Sequence, residues 1–473
     1  MPRQGGVSNS QMSLQKNPQT RKSRLTLYIF IALVVGIALG TVLNYTWLAP
    51  ENAQLATLEQ KTTLYTQKLS ELDSTTSAYH SVAAQRAVLQ EEAQSITKSI
   101  DEKVGPFLLL ADLFLRLIKM IVAPLVFSTL VVGVARLGDI RAVGRIGGKT
   151  LLWFFGASLL SLLLGMVLVN VFQPGSRLNL PLPPADTETG VAAASLSLQS
   201  FLYHMVPASV IDAMARNEIL QIVIFAILFG IATAAIGEKG EKVTDFFDSV
   251  SHVILKMTSY VMNTAPVAVF GAMVAVVAKQ GPSILKTYSI FIGEFYLSLA
   301  ILWIFLIGIG FLVIGRRVGT LLGRIKEPAL LAFSTSSSEA AFPQTMTELE
   351  RFGCPPKIVS FVLPLGYSFN LDGSMMYMTF ATLFIAQSYG IHLPIGVQLS
   401  MLLVLLLTSK GIAGVPRASL VVIAGTLATF NIPEAGLALL LGIDPLLDMG
   451  RSATNVLGNS VAAAAVTKWE KMD

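Results

Sequence analysis

Cysteine occurs once in the 473 residues, as Cys354, and histidine four times, as His80, His204, His252 and His392. One thiol excludes a disulfide framework within the chain and any multi-cysteine metal site. The histidines lie far apart and form no HExxH-type pair, so no metal site is expected. No Ser/His or Cys/His pairing offers an activated nucleophile, and neither an enzyme nor a cofactor is expected. Charge is scarce as well, at 13% of residues, whereas 53% are hydrophobic and the mean hydropathy is +0.65. No soluble domain needs that much apolar surface, and the composition is that of a polytopic membrane protein. The net charge of +5 then reflects cytoplasmic loops rather than nucleic-acid binding.

Residues 1–24 are polar and basic and precede a first apolar run, Leu25–Leu48. That run is too long for a signal-peptide core and lacks a convincing cleavage site, so it reads as a spanning helix. Residues 50–104 differ in kind, with eight acidic and five basic residues. Leu55, Leu58, Thr62, Tyr65, Leu69 and Leu72 follow a 3–4 heptad spacing, the run DSTTS breaks it, and a second helical stretch continues to Ile100. Both ends of this segment must reach one membrane face, which predicts a protruding antiparallel helical hairpin. Further apolar spans follow at 106–134, 148–173, 198–237, 243–277 and 286–316. Arginine and lysine gather at 136–149 and 316–326, whereas 174–197 carries only Arg177. This asymmetry predicts a cytoplasmic N-terminus and an extracytoplasmic hairpin.

Beyond residue 326 the apolar segments are interrupted by small polar clusters: FSTSSSEAAFPQT (333–345), GYSFNLDGS (366–374) and TSKGIAGVPRAS (408–419). Non-helical backbone at membrane depth survives only where it is buried in protein or lines a cavity, as in the midplane sites of secondary transporters. Farther on, Asp444, Asp448, Arg451, Asn455 and Asn459 are spaced 4, 3, 4 and 4. At about 100° per residue they share an arc of about 80° on one helix face. A charge near the bilayer centre costs roughly 2.5–3.5 kcal/mol on insertion scales. The stripe must therefore face protein, water or a charged ligand. An internal Asp448–Arg451 salt bridge would account for part of it, leaving the asparagines and the other aspartate unexplained.

The segments SSSEAAFP, GYSFNLDGS, SKGIAGVP and DMGRSATNVLGN together resemble the signature motifs of the dicarboxylate/amino-acid:cation symporters, the glutamate transporter family. The resemblance spans about 25–48 and 105–470 and is nearest to the bacterial proton/glutamate symporter branch. It implies an all-α membrane fold of eight transmembrane helices and two re-entrant helical hairpins, assembled as a homotrimer in a bacterial inner membrane with both termini cytoplasmic. A scaffold would comprise 25–48, 105–134 and 198–277. A mobile transport domain would comprise 148–173 and 286–470, with hairpin one at 322–351, a broken seventh helix at 357–388, hairpin two at 392–432 and an eighth helix at 434–468. The 50–104 insert is unusual for the family and falls on the scaffold side.

The guanidinium of Arg451 suits a carboxylate, which its planar fork binds bidentately. By resemblance this arginine takes the substrate's side-chain carboxylate. Asp448 beside it would repel a plain dicarboxylate and attract the α-ammonium of an amino acid, which favours glutamate or aspartate over succinate, fumarate or malate. Asn455, Ser374 and the backbone of Ser337–Ser338, a hairpin tip with free N–H groups, are expected at the α-carboxylate. Gly414 and Val415 lie in the Ile412–Pro416 tip of hairpin two, the expected gate. Arg417 either faces water or adds a second carboxylate contact.

The coupling ion rests on Asn370, Asp372, Asp444, Asn459, Lys410 and Glu339. The family's sodium sites use an aspartate where this chain has the neutral Asn459, and a backbone site where Lys410 could put its ammonium. They also use a tyrosine and a threonine where Phe154 and Ala157 stand, with Ser158 retained. These departures favour the proton as coupling cation. The family's proton-carrying glutamate corresponds to Met378, which leaves Glu339, Asp372 and Asp448. Glu339 either contributes to proton coupling or is a helix-terminal carboxylate satisfied by backbone N–H groups. The sequence thus predicts a secondary active importer of acidic amino acids. A proton- or sodium-coupled C4-dicarboxylate symporter is the alternative; a gated channel suits the broken polar segments less well.

Overall fold

The computed structural model describes residues 18–70, 72, 76–136, 140–177, 182, 206–409 and 418–470. Among these residues every regular element is helical, with no strand. Backbone groups in lipid must be satisfied within the segment, which helices do and open strands do not. Five helical stretches are long and apolar enough to cross a membrane: Leu27–Thr46, Ser77–Ala135, Arg141–Arg177, Glu238–Lys279 and Ser289–Ile314.

Helix α1 (Pro18–Thr46) is followed by α2 (Ala49–Ser70) and by α3 (Ser77–Ala135). Thr76 caps α3, its hydroxyl accepting from the Tyr79 N–H at 3.2 Å. The 59 residues of α3 make a rod of about 88 Å at ~1.5 Å per residue. Its polar arm and its spanning part are one helix, where the sequence suggested two pieces parted near residue 105. Pro106 and Pro124 both lie inside it. The heptad leucines of α2 face α3: Leu58 and Leu69 are buried, and Leu55 joins Leu48, Ile96, Ile100 and Val104 in a small core shared with Ala275 and Ala278. Glu51 pairs with Lys103, and Lys279 with Asp101, on the same stretch.

The chain continues through α4 (Ile140–Phe172), a short α5 (Pro174–Arg177), α6 (Val210–Ala215), α7 (Ile219–Ala235), α8 (Glu238–Val261), α9 (Ala265–Thr287) and α10 (Ser289–Ile314). Of the 198–237 apolar run, 198–205 lies outside the described residues, and α7 covers the end. α1 packs along α9. Lipid tails are as apolar as leucine, so helix pairing in a bilayer relies on close packing of small residues. Gly36 and Gly40 provide it: a Cβ on either would lie 2.7 Å from Met273 Cβ or 2.8 Å from Val277 Cβ.

The last third is built differently. α11 (Arg317–Thr335) turns at Ser336, held at φ 50°, into α12 (Ser338–Phe352), which ends at Gly353. α13 (Pro356–Phe369) and α14 (Asp372–Ser388) are separated by only Asn370 and Leu371. α15 (Ile395–Thr408), α16 (Ala418–Thr429), α17 (Ala438–Leu441) and α18 (Asp444–Trp469) complete it. Residues 358–370 and 372–386 are buried throughout, as are 449–467. α13, α14 and α18 are thus enclosed on every side, with α18 against α10, α11, α13 and α14. α10 instead exposes Ile304 and Leu312. The polar stripe of α18 is therefore kept from lipid by the helices around it.

The end of α18 is tied to α4. Glu470 accepts from Arg145 Nη2 at 2.9 Å and from Lys149 Nζ at 2.6 Å, and Trp469 meets Trp153 edge to face at 5.5 Å. The hydrogen bond from Arg145, reinforced by Lys149, holds the Glu470 carboxyl below its ordinary value. A carboxyl lowered by folding stabilises the fold fully above its unfolded value and loses that contribution as the pH falls through the folded one. Glu470→Gln is expected to cost about 1 kcal/mol at pH 7. In thermal unfolding of the purified protein, the gap from wild type should be constant above the ordinary carboxylate range, about pH 4.3, and vanish below the folded value.

Candidate functional site

The five stripe residues fall on α18, whose first turn holds Asp444, with Pro445 in the first helical turn, where a missing N–H is harmless. The helix then carries Arg451, Asn455 and Asn459 deeper, over a rise of about 12 Å at ~1.5 Å per residue. Two polar clusters and a clamp between them result.

Arg451 centres the first cluster and is 3% exposed. Its Nη2 donates to Asp444 Oδ1 at 3.1 Å and stands 2.9 Å from Asp448 Oδ1. The guanidinium lies 4.0 Å from the ring centre of Tyr377 on α14. One nitrogen thus serves two carboxylates, while Nε and Nη1 are buried with no hydrogen-bond partner. The aspartates differ: the Asp444 side chain is 7% exposed and that of Asp448 38%. Asp444, anticipated with the ion-coupling residues, sits here on the arginine. Tyr377 went unnoticed in the sequence, although its three-residue offset from Ser374 along α14 was a readable signal.

Asn455 forms the clamp. Its Oδ1 accepts from the Gly373 N–H at 2.9 Å and the Ser374 N–H at 3.4 Å, and its Nδ2 donates to Ser374 Oγ at 3.3 Å. The break between α13 and α14 leaves the first N–H groups of α14 without intrahelical acceptors, and this amide supplies one. Asn455 and Ser374 are therefore together, as anticipated, and already bonded to one another.

The second cluster surrounds the break. Asn370 and Asp372 are fully buried. Asn370 Nδ2 donates to Asp372 Oδ2 at 3.0 Å and to Asn459 Oδ1 at 3.2 Å. Ser161 of α4 donates to Asp372 Oδ1 at 3.3 Å, and Ser158 Oγ to the Phe369 carbonyl at 3.2 Å. Ser161 was missed, one turn beyond Ser158 on the same helix. Asn370 Oδ1 and Asn459 Nδ2 are buried without partners. Phe154, Ala157 and Met378 are buried and apolar. The cluster offers one carboxylate, amide oxygens and hydroxyls, a set suited to a single small cation or a proton. Among the described residues no group of three or more His, Cys, Asp or Glu side chains could hold a metal.

The turn between α11 and α12 leans on the start of α18, Ser336 Oγ lying 3.4 Å from the Pro445 carbonyl. Of the two N–H groups expected free at this tip, that of Ser337 is spent on the Ala332 carbonyl at 3.1 Å. Its hydroxyl caps α12, accepting from Ala340 N–H at 3.2 Å. Ser338 opens α12, where intrahelical acceptors are absent, so its N–H is the one the geometry leaves. Glu339 sits in the first turn of α12 and feels the charge of Lys119 on α3. Among the described residues no hydrogen bond or ion pair ties it to Arg451, Asp448 or Asp372. Lys410, Gly414, Val415 and Arg417 lie outside the described residues.

An all-helical membrane fold with broken helices around a buried arginine defines a class, the secondary transporters with an enclosed polar site. The sodium:dicarboxylate symporter family profile matches residues 25–469, and the chain belongs to that family. It is therefore a multi-pass membrane symporter, carrying a substrate with a coupling cation, and not an enzyme. It is 42% identical over 366 residues to the proton/sodium-glutamate symport protein of Geobacillus stearothermophilus, covering 76% of this chain and 87% of that one. Over 367 residues it is also 42% identical to the C4-dicarboxylate transport protein of Rhizobium leguminosarum, covering 76% and 82%. The C4-dicarboxylate transport protein of Bacillus subtilis is 40% identical over 365 residues, covering 76% and 87%.

The close approach of α18 to the α13–α14 break depends on Gly458. A Cβ there would stand 1.8 Å from Asp372 Oδ2. Helix propensity alone would make Gly458→Ala stabilising by about 1 kcal/mol. The contact predicts the opposite sign: a net loss of roughly 1–3 kcal/mol, read as a lower melting temperature, with transport lost because Asp372 is displaced.

Proposed function

We propose that the protein imports acidic amino acids, glutamate or aspartate, together with protons. The observation that carries this reading is the half-used guanidinium of Arg451 beside two unequal aspartates. A substrate carboxylate would take the unspent Nε and Nη1, where a bidentate charge-assisted pair forms in low dielectric. Asp444 stays on Nη2 and keeps the arginine oriented. The more exposed Asp448 would turn to the incoming α-ammonium and exchange one positive partner for another. A plain dicarboxylate brings no ammonium and faces that carboxylate unpaired. The N–H of Ser338, with Ser374 and Asn455, would receive the α-carboxylate, and Gly414–Val415 would close over it.

The neutral Asn459, with Phe154 and Ala157 on α4, argues for the proton, and Lys410 would put an ammonium in a second cation's place. Asp372 and Glu339 are then the carboxyls available to carry it, with Asn370 as the neutral partner of Asp372. Transport proceeds by alternating access. Residues 148–173 and 286–470 move as a transport domain against a scaffold of 25–48, 105–134 and 198–277. The protein would be a homotrimer in a bacterial cytoplasmic membrane, with both termini inside and the 50–104 hairpin outside. A relative named as a proton/sodium-glutamate symport protein supports glutamate as substrate, and its name gives both ions.

A second reading, C4-dicarboxylate transport, has an observation in its favour. Asp448 is already neutralised by Arg451 at 2.9 Å, and relatives of equal identity bear that name.

Uptake of labelled glutamate into proteoliposomes, with an acid exterior and no sodium, tests substrate and coupling at once. Accumulation is expected, and excess succinate should compete poorly. Arg451→Ala should lower uptake about 100-fold, the loss of about 2.7 kcal/mol; normal accumulation by this variant would overturn the reading. Asp448→Asn should shift preference from glutamate toward succinate, whereas strong succinate competition in the wild type would favour the second reading. A second experiment concerns Glu339. Glu339→Gln should flatten the pH dependence of uptake, and an unchanged profile would leave the proton to Asp372.

A further inference from the structure

Away from the site, a cleft of about 700 Å³ separates α8 from the α11–α12 hairpin. His252, Lys256, Ser259, Tyr260 and Asn263 line it from α8 and the turn that follows. Glu327 of α11 faces them, with Gln344, Glu348, Glu350 and Arg351 of α12. The two walls carry opposite charge. On the hairpin wall Glu348 is shared by Arg351 at 2.7 Å and Arg324 at 3.8 Å, which leaves Glu327 and Glu350 as the lining carboxylates outside that pair. On the α8 wall Lys256 is exposed and lies over its own helix's Tyr260 ring, at 5.2 Å. His252 Nδ1 meets the Asp248 carbonyl of its own helix at 2.8 Å. Gln344 gives Nε2 to Glu327 at 3.3 Å, and its Oε1 is buried with no partner.

A gap held open between complementary walls is unlike the close packing of a finished helix interface. It is a surface prepared to meet. Nothing in the α13–α14–α18 site uses these residues, so their charge pattern is left over from substrate binding.

We propose that this cleft is a charge clasp between α8 and the α11–α12 hairpin, closed in one conformation of the transport cycle by Lys256 docking on Glu350 and Glu327. The inference rests on the alternating-access reading, in which α8 belongs to the static part and the hairpin to the moving part. On closure Lys256 leaves Tyr260, and Gln344 Oε1 gains a donor from the opposite wall. The pair is solvated when open and desolvated when closed, so it favours one end of the cycle without touching the substrate. Lys256 and Glu350 are positioning residues, acting on the hairpin and through it on the tip at Ser336–Ser338.

Charge reversal and cross-linking test this together. Lys256→Glu should slow uptake several-fold with substrate affinity unchanged. Adding Glu350→Lys to the same chain should restore it, which loss of structure would not allow. Lys256→Cys with Glu350→Cys should be joined in membranes by a short thiol-reactive cross-linker with a cleavable spacer, since a lysine–glutamate pair holds its Cβ atoms farther apart than the ~4 Å of a direct disulfide. The cross-link should arrest exchange, and reductant should release it. Cys354 is buried and stays out of reach of the reagent. No cross-link, or no rescue by the double reversal, overturns the clasp. The cross-link is read on protein without substrate, so its failure is distinct from failure of the glutamate assignment, which proteoliposome uptake reports.

Discussion

The structure is organised around a guanidinium that is buried and only partly satisfied. Arg451 is 3% exposed, yet it commits one nitrogen to two aspartates and leaves Nε and Nη1 without acceptors. An unmet buried donor costs about 1–3 kcal/mol, and more when charged. An occupant that supplied the missing acceptors would offset that cost. The two aspartates keep the charge from being isolated, and the Tyr377 face, 4.0 Å below, fixes the plane of the fork. A complete set of partners would make the same arginine a structural strut.

Holding such a group inside a membrane requires that most polar groups around it be paired, and the broken helices show how this is done. The α13–α14 break releases N–H groups at membrane depth; Asn455 accepts from two of them and Asn370 fills the corner. The clamp needs a side chain that donates and accepts without bringing another charge. Asparagine meets that need, and an aspartate at 459 would place a second carboxylate beside Asp372 with only Asn370 between them. The neutral stripe below Arg451 thus leaves Asp372 as the one carboxylate among the described residues of that cluster.

Much of this was legible in the sequence. The 4, 3, 4, 4 spacing from Asp444 to Asn459 needs only helical periodicity, and all five residues lie on α18. The heptad leucines of 50–72 likewise turn toward their partner helix. Less legible was anything set by the approach of separate helices. Tyr377 and Ser161 act because α14 and α4 bring them to Arg451 and Asp372. The spent N–H of Ser337 depends on Ser336 adopting φ 50° at the turn, which no run of serines announces. The continuity of α3 through Pro106 escaped because a proline in a helical pattern ordinarily marks a boundary.

Fold alone leaves the substrate open. Relatives named for glutamate and for C4-dicarboxylates stand at the same 42% identity to this chain. Discrimination must then come from a few groups at the site. The feature that separates the two ligands chemically is a single ammonium, and the one carboxylate near Arg451 with solvent access is that of Asp448. Asp444 is too enclosed to greet an arriving ligand and is already committed to Nη2. On the proposed reading the pair divides the labour: the buried member would set the arginine, and the exposed member would read what arrives beside it. Selectivity of this kind is won by a penalty on the wrong ligand, an unpaired carboxylate next to a second anion, more than by extra attraction to the right one.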